Sequence, residues 1–179
     1  MAVDGDPMAT LHPRIGAFYR LWLSKRGTRR APARSDFDPV EMRTFLPNLY
    51  MFDVVEPGRR LRYRLVGTAV AELAGEVTGR FIDDVLPAAM YAALRPHYDD
   101  VVRNFIPRYH ANDLGWQGRP YIRYYRLLLP LSDDQRTVNM LLGIHYHERT
   151  AGGAANVPVA QLQPLATSVD LRLLPDEPR

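Results

Sequence analysis

The sequence contains no cysteine, and this absence excludes several kinds of chemistry at once. Disulfide bonds, thiolate nucleophiles, iron–sulfur clusters and thiolate zinc sites all need a cysteine sulfur. The fold must therefore be held together by its core alone. The chain of 179 residues is long enough for that, because a domain of about 150 residues buries roughly 68–70% of the surface that its unfolded chain exposes.

Long hydrophobic runs are also absent. The longest, Leu127–Leu131 and Met140–Ile144, fall far short of the roughly 20 residues that a membrane-spanning helix needs. The first ten residues, MAVDGDPMAT, carry acidic side chains where a signal peptide would carry positive ones. We therefore expect a cytoplasmic protein without membrane contact.

Motifs of common enzyme classes are absent as well, since no Walker loop, G-x-S-x-G or dinucleotide-binding motif occurs.

Lysine is scarce, since Lys25 is the only one, and the small net charge of +3 rests on arginine. Five cations gather in the run 25–34, KRGTRRAPAR. A nucleic-acid surface would interleave aromatic or polar base readers with such a run, and none is interleaved here. A solvated linker whose first cations follow a helix C-terminus explains the run better, so nucleic acid is a disfavoured partner.

The apolar residues before this linker recur with the period of an amphipathic helix. Pro13 suits the first helical position, and the apolar stripe then consists of Ile15, Phe18, Tyr19, Trp22 and Leu23. Burying each large side chain stabilises a fold by roughly 1.5–3 kcal/mol, so the stripe needs a surface to cover. It could cover the sheet of its own chain or pair with a second copy, and on this stripe we predict a homodimer.

Beyond the linker, strand-like and helix-like patterns alternate along the chain. Strands are predicted at 46–55, 60–67, 107–116, 120–131 and 137–148, with short helices between 68 and 105 and a kink or break at Pro96. Two strands, a helical cluster and three strands favour an α+β fold. We predict a five-stranded antiparallel sheet with the helical cluster on one face, preceded by the amphipathic helix.

Four stretches of sequence occur together in a fixed order: PARSDFDPVE (32–41), LPNLYMFDV (46–54), YRLVGTAVAELAGEVTGR (63–80) and RLLLPLSDD (126–134). With the element order they resemble an alphaproteobacterial PAS-like family long catalogued as a domain of unknown function, over roughly residues 15–148. The resemblance implies a stand-alone bacterial sensor fold without assigned activity. From the resemblance together with composition, we predict four segments: a flexible tail (1–12), the helix and basic linker (13–35), a PAS-like core (36–150) and a C-terminal tail (151–179).

The resemblance also implies a cavity between the inner face of the sheet and the helices at 68–105. Side chains alternate along the strand 120–131, so each of its faces carries an arginine, Arg123 or Arg126. An arginine that lines the cavity would anchor a carboxylate or phosphate; the alternative is that each lies exposed, with its stem over tyrosines. The predicted ligand-binding residues are Arg64, His110, Trp116, Tyr124, Arg126, Met140 and Leu142.

Cofactors of this fold are restricted by the same absence of cysteine. PAS-type photosensors that form a flavin–cysteine adduct, or hold a chromophore through a thioester, need a thiol, so both routes are excluded. Haem would need a histidine on the long helix, where His97 stands beside Pro96. A lone histidine, exposed at a helix break, is weak evidence for ligation. Haem is therefore disfavoured, and an unknown small molecule is the expected ligand.

Two histidines close the last predicted strand, in LLGIHYHE (141–148). A small metal-dependent enzyme could use His145 and His147, but the sequence shows no matching third ligand. The apolar set that includes Met140 and Leu142 favours the cavity side, which predicts that both histidines face away from it.

The leading hypothesis is a non-enzymatic sensory domain that holds a small metabolite and signals to an unidentified protein partner. A ligand-free interaction module is the third hypothesis.

Overall fold

The computed structural model describes residues 11–55, 60–116, 119–149, 163–164 and 170–173. The side chains of 114–121 and of residues from 149 onward lie outside this description. None of the helices within these ranges has the length and apolar character that spanning a bilayer requires.

One antiparallel sheet forms the centre of the structure. Its five main strands are β1 (Leu49–Val55), β2 (Arg60–Val66), β3 (Arg108–Trp116), β4 (Arg119–Leu131) and β5 (Met140–Arg149). They lie in the order β2-β1-β5-β4-β3, so the last of them takes the central position. Two short strands, β6 (Gln163–Pro164) and β7 (Asp170–Leu173), extend the sheet by pairing with β3. The predicted α+β fold with a five-stranded antiparallel core is confirmed.

The helices lie on both faces of this sheet. They are α1 (Pro13–Arg26), α2 (Pro39–Met42), α3 (Thr68–Ala74), α4 (Ile82–Val85) and α5 (Ala88–Asn104), with 3-10 turns at Arg34–Asp36 and Leu46–Asn48. The Asp38 carboxylate caps α2 by accepting a hydrogen bond of 2.8 Å from the Val40 amide. Gly75 ends α3 with a φ of 78°, a left-handed conformation that glycine adopts without strain.

Helix α5 runs unbroken through Pro96. A proline removes one backbone hydrogen bond and often kinks or breaks a helix. Here packing holds both halves of the helix, since Leu94 packs against the core before the proline and Tyr98 and Val101 are buried after it. The predicted break at this position is wrong, whereas the kink that was its alternative stays a prediction.

Helix α1 covers the face of the sheet opposite to α3 and α5. The stripe residues Ile15, Phe18, Tyr19 and Trp22 are buried within the chain, and Leu23 is partly buried. The Trp22 indole N–H donates a hydrogen bond of 3.1 Å to the carbonyl of Pro130 in β4. The stripe therefore covers its own sheet and no longer supports a dimer, and the homodimer stays a prediction.

The basic linker is attached to the turn between β4 and β5. The side-chain oxygen of Gln135 accepts hydrogen bonds from the backbone N–H groups of Arg30 (2.9 Å) and Ala31 (3.3 Å), and its amide nitrogen donates one of 2.9 Å to the Ala31 carbonyl. The Ser132 backbone N–H donates another, of 2.9 Å, to the Pro32 carbonyl. The backbone of the linker is thus bound to the domain, although the Arg30 side chain is exposed.

Candidate ligand-binding cavity

A cavity of about 200 Å³ lies between the sheet and helices α3 and α5. The sheet lines it with Tyr50, Phe52, Tyr63, His110, Asn112, Tyr124, Arg126 and His145. The helical side contributes mainly apolar residues, namely Val70, Leu73, Ala74, Leu86, Met90, Ala93 and Leu94, together with His97 and Tyr98. An apolar cavity with a few polar groups gathered on one wall is the usual form of a small-molecule site.

Three polar residues form a row across the central strands. Arg126 of β4 pairs with His110 of β3 on one side and with His145 of β5 on the other. Directly opposed residues of antiparallel strands present their side chains on the same face, and all three line the cavity. Tyr124 shares this face because side chains alternate along a strand.

Arg126 is the charged member of this row and is almost fully buried, with 6% of its surface exposed. Its Nη1 donates a hydrogen bond of 2.8 Å to the Tyr98 hydroxyl on α5, and its Nη2 lies 3.4 Å from Nδ1 of His110. An arginine can only donate, so this Nδ1 accepts and His110 is neutral. Burial lowers the pKa of Arg126, but the surrounding phenol groups, Tyr98 first, raise it by more, and the guanidinium stays charged.

The other titratable groups of the wall are neutral near pH 7. Burial, helped by His147 and Arg126, lowers the pKa of His145 to about 3. Burial also lowers the pKa of His97 and raises the pKa of Tyr124 to about 12. No Asp or Glu occurs among the described residues that line the cavity. The wall therefore carries one positive charge that none of these lining residues neutralises.

His145 lines the cavity, so the prediction that the histidines of β5 face away from it is wrong. The apolar face of β5 is turned toward α1, because the Tyr146 ring stacks on His12, just before α1, with ring centroids 4.8 Å apart. Met140 and Leu142 share that face and do not line the cavity. The physical reason is that both faces of the sheet are covered, and the more apolar one packs against α1.

The other predicted ligand-binding residues divide between the cavity and the surface. Three of them line the cavity: His110, Tyr124 and Arg126. Arg64 lies on the face of β2 opposite to Tyr63, is exposed, and forms an ion pair of 3.1 Å with Asp53. Trp116 ends β3, and its side chain lies outside the described residues. Ligand binding by these residues stays a prediction.

Several polar lining residues were missed by sequence reasoning, namely Tyr50, Tyr63, Tyr98, Asn112 and His145. His97, expected to be exposed, is half-buried and lines the cavity. A usable signal for one of them was the pairing of neighbouring strands, since the residue opposite Arg126 is His145. The same signal was available for Asn112, which lies directly opposite the predicted residue Tyr124 and shares its face of β3 with His110.

Gly143 leaves room for the ring of Tyr50, which lines the cavity. The two residues are directly opposed on β5 and β1, and a Cβ built on Gly143 would lie within 3.0 Å of three carbon atoms of the Tyr50 ring. The ring is 4% exposed and packs edge-on against Phe52, with centroids 5.5 Å apart. Glycine beneath an aromatic ring is a recurrent way to fit a large side chain against a sheet.

We expect Gly143→Ala to lower the free energy of unfolding by about 2 kcal/mol, because the new methyl group displaces the packed Tyr50 ring. In a Tyr50→Leu background the same substitution is expected to cost less than about 1 kcal/mol, since the smaller side chain leaves space. Urea unfolding of the four proteins measures both costs. Equal costs in the two backgrounds would contradict this account of the contact.

The histidine pair of β5 is the candidate metal site of the alternative hypothesis. The ring centroids of His145 and His147 are 5.8 Å apart. Within the ranges that the structure describes, no group of three or more His, Cys, Asp or Glu residues is placed to hold a metal ion. Two histidines alone are fewer than the three protein ligands that catalytic zinc sites usually have.

The strand order of the sheet, with α3 and α5 on one face and a cavity beneath them, defines a class of proteins. These are the sensory, ligand-binding or interaction modules of the PAS type. A comparison with known families agrees with this class, because the family model described as PAS domain matches residues 10–146. The chain therefore belongs to the PAS domain family. A comparison with curated proteins found no match. The narrower resemblance to stand-alone alphaproteobacterial proteins stays a prediction.

Proposed function

We propose that this protein is a non-enzymatic sensory domain that holds a small metabolite between its sheet and helices and reports it through contacts with a protein partner. The cavity is the observation that carries this proposal. Its volume of about 200 Å³ exceeds the roughly 150 Å³ of an engineered cavity that binds benzene. The cavity therefore suits a ligand with a body of about one ring.

The polar groups of the cavity wall support a bound molecule rather than an empty space. Empty cavities in proteins are apolar, whereas polar ones hold water or a ligand. Tyr50 Oη and His145 Nε2 are both buried and have no hydrogen-bond partner in the part of the chain that the structure describes. A buried polar atom without a partner costs roughly 1–3 kcal/mol, which a ligand with suitable polar groups would recover.

The helices that cover the cavity offer a route from binding to signalling. They line the cavity with residues such as Val70 and Leu94, while Glu72 and Arg103 on the same two helices are exposed. A ligand that changes the packing of these helices would change a surface that a partner can contact. Differential contacts of this kind are what a conformational response to a ligand requires.

A neutral single-ring probe tests the cavity. We expect benzyl alcohol to shift the amide NMR signals of the lining residues. Val70→Phe should weaken this binding roughly tenfold or more, because Val70 is 5% exposed and lines the cavity, so the added ring occupies the same space. The matched control is Val40→Phe, since Val40 is 68% exposed and the variant should bind as the wild type does.

Two outcomes would contradict the proposal. One is the absence of binding by the wild-type protein, which is the result that a ligand-free interaction module predicts. The other is binding that Val70→Phe leaves unchanged, which would place the probe elsewhere. Native mass spectrometry of the purified protein then identifies a molecule that co-purifies.

A further inference from the structure

We propose that the ligand of this cavity is an organic monoanion with an apolar body of single-ring size, whose carboxylate binds Arg126. This inference rests on the proposed function, since it names the class of ligand that the same cavity takes. Its starting point is a buried cation in a cavity wall, with no acidic side chain among the described residues that line the cavity.

Buried charges in proteins are normally paired, because an unpaired one loses its hydration without compensation. Two other arginines of the sheet, although less buried, are also paired with carboxylates. Arg123, on the opposite face of β4, lies 3.0 Å from each carboxylate oxygen of Asp113, and Arg64 is paired with Asp53. Arg126 is more buried than either, yet its two hydrogen-bonding neighbours are a phenol and an imidazole. A carboxylate from outside the chain would complete its pairing.

The guanidinium of Arg126 keeps donors for such a carboxylate. An arginine has five N–H donors in a planar fork that matches the two oxygens of a carboxylate. Contacts within the described part of the chain use Nη1 toward Tyr98 and Nη2 toward His110, while Nε is buried with no partner there. These two contacts come from α5 and β3 and fix the guanidinium plane. The fork is therefore oriented before a ligand arrives, which lowers the entropic cost of binding.

A single carboxylate suits this wall better than a phosphate. The wall supplies one positive charge, because burial keeps His145 and His97 neutral near pH 7 by lowering the pKa of each. A phosphate monoester carries a charge of about −1.5 to −2 at this pH, and the second charge would remain unpaired in a largely apolar cavity. The opposite walls, with residues such as Phe52 and Leu94, favour an apolar body.

Three probes of similar shape test the inference: benzoate, its neutral isostere benzamide, and phenyl phosphate, each titrated into the protein at pH 7.5 by calorimetry. We expect the wild type to bind benzoate roughly tenfold or more tightly than either of the others. Arg126→Met removes the charge at similar volume and should abolish the preference for benzoate over benzamide. Arg123→Met, the control, changes the arginine on the other face of β4 and should retain the preference for benzoate over benzamide.

Arg126→Met leaves the Tyr98 hydroxyl without its donor, so a second variant guards against loss of folding. Arg126→Met combined with Tyr98→Phe replaces both partners with apolar groups, which is close to neutral for stability. This double variant should also show no preference for benzoate. A preference that survives in either folded variant overturns the role of Arg126.

Two further outcomes separate this inference from the proposed function. The carboxylate class is overturned if the protein binds benzyl alcohol but binds benzoate and benzamide with equal affinity, or binds phenyl phosphate most tightly. In either case the cavity remains a ligand site. Failure of every probe to bind overturns both proposals.

Discussion

Acidification from pH 7 to pH 3.5 is expected to lower the free energy of unfolding by on the order of 4 kcal/mol through His145 alone. The residue is 2% exposed, and burial, with His147 and Arg126 nearby, lowers its pKa from 6.5 to about 3. Between these two values the unfolded chain binds a proton that the folded chain does not. The contribution is therefore complete above pH 6.5 and is lost progressively as the pH falls toward 3.

Urea unfolding at pH 4, 5, 6 and 7, carried out on the wild type and on His145→Gln, isolates this contribution. Glutamine keeps a polar side chain but does not titrate in this range, so the variant should lose much less stability on acidification. The contributions of His12 and His97, whose pKa values are also lowered by burial, are common to both proteins and cancel. Parallel pH dependence in the two proteins would rule out a buried, neutral His145.

A neutral His145 also bears on the cavity. Near pH 7 the row of His110, Arg126 and His145 carries one charge, on the arginine. Protonation of His145 would place a second cation beside the first in a buried wall, where like charges repel strongly. The loss of stability on acidification and the charge selectivity of the cavity thus depend on the same row of side chains.

Local patterns were enough to predict the main elements of the fold. Asp38 and Pro39 mark the start of α2, and Gly75 marks the end of α3. The three antiparallel pairs of consecutive strands follow from strand-like runs around polar turns. The short strands β6 and β7 could not be predicted in the same way. They contain two and four residues, too few for an alternating pattern, and they form only because the edge of β3 is available to pair with them.

The site was only partly predictable, because hydropathy alone does not show which residues of neighbouring strands face the same side of the sheet. In the β4–β5 hairpin Arg126 pairs with His145, and opposed residues share a face. Choosing Arg126 for the cavity therefore requires His145 there, and it places Met140 and Leu142 on the other side. The prediction combined residues from both faces in one cavity. The apolar pattern could not distinguish the two faces, since α1 covers the second face and the most apolar residues of β5 pack there.

The largest effect of a single methyl group is expected at Gly67, where the chain passes from β2 into the helices over the cavity. Its N–H donates a hydrogen bond of 2.7 Å to the Leu49 carbonyl, and its own carbonyl accepts from the amide of Ala71 in α3 at 2.9 Å. A Cβ built on Gly67 would lie within 3.0 Å of the carbonyl oxygens of Leu46 and Pro47. These are backbone atoms at the entry to β1, and they cannot rotate away as a side chain can.

We expect Gly67→Ala to lower the free energy of unfolding by about 3 kcal/mol or more, because either the turn at 46–48 or α3 must move. The cost comes from packing, since φ of −69° and ψ of 158° at Gly67 are allowed for alanine. Because α3 lines the cavity, the variant should also weaken benzyl alcohol binding. Urea unfolding measures the first effect and titration of the folded variant the second.

The matched control is Gly16→Ala, in the interior of α1. A Cβ there meets its nearest neighbours at 3.9 Å, an ordinary contact, and alanine is favoured over glycine within a helix by roughly 0.5–1 kcal/mol. The same chemical change should therefore stabilise the protein at one site and strongly destabilise it at the other. Similar effects at both positions would mean that α3 is not held against the entry to β1 by this contact, and that the helical wall of the cavity is set by other packing.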